Sequence, residues 1–109
     1  VAELAKHQNV VAKVGGIQMV VNGYGWHEMD QPPTSDQLVA TNRDWYDYMF
    51  EQFGPDRCMF ESNFPVDKLS CSYTVLWNQF KKLTTAFSDD ERAAMFHDTA
   101  MRVYRLPHV

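Results

Sequence analysis

Cysteine is scarce in this chain: only Cys58 and Cys71 are present. Two are too few for a disulfide framework, and their spacing is not that of a zinc motif. Both are expected as free thiols that serve in packing, in a reducing compartment, the cytoplasm. Basic runs are also missing, and the net charge is −4. A nucleic-acid or anionic-membrane partner is therefore disfavoured. No apolar run approaches membrane-spanning length, and no signal peptide is visible. Internal repeats and low-complexity tracts are absent. What remains is one small globular domain, or part of a larger one. The 109 residues are 45% hydrophobic and 14% aromatic, ample core material and a composition against disorder.

Two capping boxes mark helix starts. Thr34 and Gln37 have the required spacing, as do Ser88 and Glu91. The first predicts a helix from about Ser35 to Phe53, with Leu38, Trp45, Tyr46, Met49 and Phe53 on one face and Gly54-Pro55 as its stop. The second predicts a final helix, or two short ones, through Tyr104, with Ala93, Phe96, Ala100 and Val103 inward. Between them, a helix over about Ser72 to Ala86 carries the stripe Tyr73, Leu76, Trp77, Phe80 and Leu83. Val1 to His7 reads as a helix end. The β-branched run Val10 to Ile17 reads as a strand, buried on both faces as in parallel sheets. Gln18 to Pro33 is a long loop, and loops of that length in compact domains are usually functional.

The chain centres on Arg57-Cys58-Met59-Phe60-Glu61-Ser62-Asn63-Phe64-Pro65-Val66-Asp67. A short apolar run turns polar where it stops. That is the pattern of a buried strand delivering side chains to an open sheet end. Pro65 has no N–H for a neighbouring strand, so pairing is expected to end near Phe64. Two strands around one helix make a βαβ unit. Two strands alone do not make a stable parallel sheet covered on both faces. The chain is therefore expected to be a fragment, and the isolated piece to be inactive and poorly folded.

The same stretch resembles the last-strand motif of the amidohydrolase-related family, (β/α)8-barrel hydrolases of which many are metal-dependent. Asn9 to Gly16 resembles that family's seventh strand. Gly25-Trp26-His27-Glu28 and Pro32-Pro33-Thr34-Ser35 resemble a loop and helix start in its lactonase-like subgroup. Phe53-Gly54-Pro55-Asp56-Arg57 is similar to the approach to the eighth strand, and Phe96 to Leu106 to the closing helix. The resemblance implies an α/β fold: the carboxyl-terminal portion of a TIM barrel, about two parallel strands with flanking helices, over residues 1–109. It implies a small-molecule substrate, a lactone or cyclic carboxylic acid, opened at its C–O ester bond by water. It also implies a divalent metal, Zn or Mn, whose main ligands lie outside this chain, as a barrel of roughly 250 residues would place them. A metal-dependent decarboxylase of the same group, or a catalytically decayed barrel, are the alternatives. Many relatives carry a metal-binding or water-activating Asp where Asn63 stands. An amide cannot accept a proton near neutral pH, so Asn63 in that place needs another base.

The candidate residues follow. Asn63 can orient a carbonyl or hold a water, or it can bond local backbone as Asn often does. Asp67 can be the displaced general base, or a solvated loop carboxylate or helix cap. Glu61 can ligate a metal or pair with Arg57 or Lys68, and alternation points it to the same side as Asn63. His27 and Trp26 are expected to contact substrate from the long loop. Lys13, amid Val and Gly, is expected in an ion pair. His97 is expected to bond a neighbour, and His7 and His108 carry no functional expectation.

Overall fold

Both capping boxes form in the computed structural model, which describes residues 1–107. The Gln37 backbone N–H donates to Thr34 Oγ1 at 3.2 Å, and the Thr34 N–H donates to Gln37 Oε1 at 2.8 Å. The helix they start, α2, covers Ser35–Phe53 as expected, and Gly54 closes it at a φ of 78°. Ser88 and Glu91 bond reciprocally at 3.2 and 3.0 Å and start α4, Asp89–Ala93. The other helices are α1 (Ala2–Ala5), α3 (Tyr73–Leu83) and α5 (Thr99–Tyr104). His108 lies outside the described residues.

Strands β1 (Ala12–Val14) and β2 (Cys58–Phe60) pair in parallel, with Ala12 opposite Cys58 and Val14 opposite Phe60. With α2 as the crossover this is the expected βαβ unit. The strands are shorter than expected. β1 stops where Gly15 and Gly16 begin, and pairing beyond Phe60 is limited to the Glu61 N–H donating to the Val14 carbonyl. It does not reach Phe64, because Asn63 leaves the extended region at a φ of 53°. Gly15 is required by contact: a Cβ there would lie 2.4 Å from the Glu61 carbonyl oxygen. Burial of β1 on both faces is also corrected. Ala12 and Val14 join the core, whereas Lys13 between them is exposed.

The core is aromatic. The Phe60 ring stacks on Phe80 at 4.4 Å and meets Phe50 edge-on at 5.8 Å. Tyr46 meets Phe80 edge-on at 5.7 Å, with Leu38 and Leu76 fully buried beside them. Three expected helix faces shift. Trp45 is 63% exposed, and the buried stripe of α2 is Leu38, Asn42, Tyr46, Phe50 and Phe53. Tyr73 of α3 is exposed, Trp77 is half-buried and Gln79 takes a core place. Between α4 and α5, Ala94–Asp98 forms a π-helical turn, in which the Thr99 N–H reaches back to the Ala94 carbonyl. The wider turn rotates the face, so Ala94, Met95 and Thr99 point inward instead of Ala93 and Val103.

Candidate functional site

The carboxyl end of β2 breaks into a tight turn that gathers the polar residues of the central stretch. Asn63 adopts the left-handed conformation, which Asn tolerates better than most residues. The Asp67 N–H donates to the Asn63 carbonyl at 3.0 Å, and the Phe64 N–H donates to Ser62 Oγ at 3.2 Å. Inside this turn, Asn63 Nδ2 donates to Asp67 Oδ1 at 2.8 Å. The amide nitrogen is thereby engaged, and the amide oxygen has no assigned partner.

Asp67 is fully buried. It is neither a solvated loop carboxylate nor the side-chain cap of α3, a role that Ser72 takes. Its second oxygen, Oδ2, has no hydrogen-bond partner among the described residues. Burial pushes its pKa above the usual carboxylate value. The Asn63 hydrogen bond opposes that rise, and the Glu61 charge adds to it. Such a carboxylate binds its proton more tightly than a surface one.

Glu61 and Asn63 do lie near each other, as alternation suggests. A Cβ on Gly16 would meet Asn63 Nδ2 at 3.5 Å and Glu61 Oε1 at 3.9 Å. The bare Gly15-Gly16 backbone is what lets the two strand ends come this close. The partner of Glu61 is Lys13, at 3.7 Å, in place of Arg57 or Lys68. Arg57 instead donates to the carbonyls of Ala5, His7 and Val10, tying the chain start to β2. Tyr104 and then Glu61 raise the Lys13 pKa.

His27 and Trp26 lie in a second place. They form a short 3-10 turn, Trp26–Glu28, behind Gly25, with Trp26 stacked on Tyr24 at 6.0 Å. They line a recess with Pro32, Lys68, Ser70 and Cys71, and Glu61, Asn63 and Asp67 do not line it. The link between the two places is the turn Val66–Leu69, which holds both Asp67 and Lys68. His97 Nδ1 lies 2.8 Å from Asp98 Oδ1, as expected of a helix side chain bonding its neighbour. Both cysteines are free and buried, and burial pushes each thiol up to about 11.

No group of three His, Cys, Asp or Glu side chains converges among the described residues. Glu61, read as a metal ligand or as one half of an ion pair, lies 3.7 Å from the Lys13 ammonium. These residues alone do not fit a metal ion. No helix among them is long and apolar enough to cross a membrane.

The sequence reading missed three buried polar residues behind Asp67, Gln18, Asn42 and Gln79, each fully buried like Tyr46, which was expected on the inner face of α2. A signal was available. Asn42 falls four residues from both Leu38 and Tyr46, and Gln79 lies beside Phe80, so polar residues stand on apolar stripes.

A sequence model of the amidohydrolase family matches residues 1–106. The uncharacterized protein y4mH of Sinorhizobium fredii (strain NBRC 101917 / NGR234) is 42% identical over 103 residues, which are 94% of this chain and 30% of that protein. Two crystal structures of an amidohydrolase from Burkholderia multivorans, one with bound zinc and one with bound HEPES, align with a TM-score of 0.80 at 30% identity. Each alignment covers 97% of this chain and 35% of the other. The chain thus spans about a third of the length of the relatives it matches.

Proposed function

This chain belongs to the amidohydrolase family, and from that premise we propose that its β1 and β2 serve as two staves of a (β/α)8 barrel hydrolase. The two-stranded sheet, with both outer edges unpaired among the described residues, supports a barrel completed by further strands. The reaction we propose is hydrolysis of a C–O ester bond in a small lactone or cyclic carboxylic acid. Strand carboxyl ends are where such barrels hold their chemistry, and the Glu61–Asp67 turn lies at one.

The observation that carries this reading is the hydrogen bond from Asn63 Nδ2 to Asp67 Oδ1. A buried carboxylate holds the amide by its nitrogen and leaves the amide oxygen to accept from a water or a substrate hydroxyl. Asn63 then orients the attacking water, Asp67 holds the amide in place, and the proton that the water loses passes to a base outside this turn. Trp26 and His27 contact substrate from the neighbouring recess.

The test is turnover of a sugar lactone by the protein at its natural length. Asn63→Ala is expected to lower kcat about a hundredfold, at least as much as Asp67→Ala. A larger loss in Asp67→Ala than in Asn63→Ala assigns the base to Asp67 itself. Unchanged kcat in both removes this turn from the active site.

A further inference from the structure

The proposed chemistry leaves one side of the recess beside the Asp67 turn unused. The recess has a volume of about 340 Å³, the size of a small-molecule site, and lies between the loops that follow β1 and β2. The first loop contributes Trp26 and His27, and the second contributes Lys68, Ser70 and Ser72. The turn Val66–Leu69 faces two ways. Asp67 is buried against Asn63, whereas Lys68 lines the recess. A group held by Lys68 is therefore one residue along the chain from the carboxylate that holds Asn63.

The polar lining of the recess is made mainly of donors. No aspartate or glutamate lines it, and among the described residues no carboxylate lies within ion-pair distance of the Lys68 ammonium. Lysine offers three donors and no acceptor. Trp26 keeps its indole N–H buried, with no acceptor among the described residues. Ser72 Oγ accepts from the Val75 N–H at 3.2 Å, which leaves its own proton to donate. The same cap sets the positive end of α3 at the recess. Ser70 is buried and donates to the Gln18 carbonyl. Glu28 reaches His27 Nε2 at 3.7 Å, but it is mostly in solvent and outside the lining. An unpaired lysine on open surface needs no ligand. One in a carboxylate-free recess, among other donors, is matched to an anion.

We propose that this recess holds a carboxylate of the substrate, with the Lys68 ammonium as its counter-charge. Lys68 is then a specificity residue, and of the substrates proposed above the acid is the one it selects. A neutral lactone has carbonyl and ether oxygens but no full charge, so it leaves the ammonium to water. The carboxylate is remote from the ester bond that breaks. It is held equally in the ground state and the transition state, so Lys68 acts on KM and not on kcat.

This rests on the reading that Trp26 and His27 contact substrate. The test compares a sugar lactone that bears a carboxylate with the same lactone carrying a primary amide there, in the protein at its natural length. Wild type is expected to favour the acid about thirtyfold in kcat/KM. Lys68→Met is expected to raise KM for the acid by about the same factor with kcat unchanged, and to act far less on the amide. Lys68→Arg is expected to keep most of the preference. No preference in wild type, or an equal loss on both substrates in Lys68→Met, overturns the proposal. A second readout needs no hydrolysis. Cyclopentanecarboxylate, which has no ester bond, is expected to raise the thermal midpoint of wild type at fixed ionic strength, and not that of Lys68→Met. No rise in wild type, or an equal rise in both, overturns the site. The expected rise without turnover of either lactone overturns instead the hydrolase reading and leaves the anion site standing.

Discussion

Two clusters flank the end of β2, and they are buried in opposite ways. Around Phe60, aromatic rings from α2, α3 and the π-helical turn pack edge-on and stacked, and burial alone satisfies them. Around Asp67, burial leaves a carboxylate oxygen, a phenol, two amide oxygens and an amide nitrogen without partners among the described residues. Apolar surface is stabilised wherever it leaves water. A polar group that leaves water costs about 1–3 kcal/mol unless it is paired. The first cluster therefore holds the fold. The second is carried by it, which is the usual relation between a core and a functional site.

That contrast can be broken at four places, from the largest expected effect to the smallest. Phe80→Ala is expected to destabilise by about 3–5 kcal/mol, read from the denaturant midpoint, because it empties the centre of the aromatic cluster. A loss below about 1 kcal/mol is too small for such a cavity and would mean that the cluster is not the core. Gly15→Ala is expected to destabilise by about 1–3 kcal/mol, because the new Cβ must push the Glu61 backbone away. A neutral result shows that the strand ends are not held together.

Asp67→Asn is expected to act in the other direction. The folded-state pKa of Asp67 is raised, so its contribution to stability is full below the unfolded-state value and is lost as pH rises through the folded-state value. At neutral pH the ionised form is therefore a burden. The Asn variant is expected to melt higher than wild type there, by about 1 kcal/mol, with the gain shrinking as pH is lowered past the carboxylate range. A pH-independent difference removes the buried charge from the account. Lys13→Met is expected to leave the midpoint unchanged within error, because the Lys13–Glu61 pair lies half in solvent at 3.7 Å. A clear loss there indicates a much drier pair.

Much of the fold was legible before any coordinates. The α2 boundaries, both capping boxes and the parallel βαβ order depend on neighbours a few residues apart, and such signals survive in the chain as text. The paired end of β2 was legible only in part. Glu61, Asn63 and Asp67 were marked as polar residues at a strand end, yet Asp67 was left open as a possible solvated carboxylate, and Glu61 was given the wrong partners. The Trp26–His27 loop was marked as contacting substrate, and in the structure it lines a recess that Glu61, Asn63 and Asp67 do not line. The inner face of the last helices was misjudged because a π-helical turn adds a residue that helical periodicity does not foresee.

By itself, then, the sequence determined where α2 and α4 begin and where α2 stops, that two strands run parallel, and which stretch leaves the sheet polar. Those outcomes rest on caps, turn residues and apolar spacing, all of them local interactions. Only the tertiary structure decided that Lys13 meets Glu61, that Asp67 lies fully buried against Asn63, and that Gln18 meets Gln79. Each of those contacts joins residues from different elements or depends on what covers a turn. Such contacts are settled by packing geometry, which no short window of residues contains.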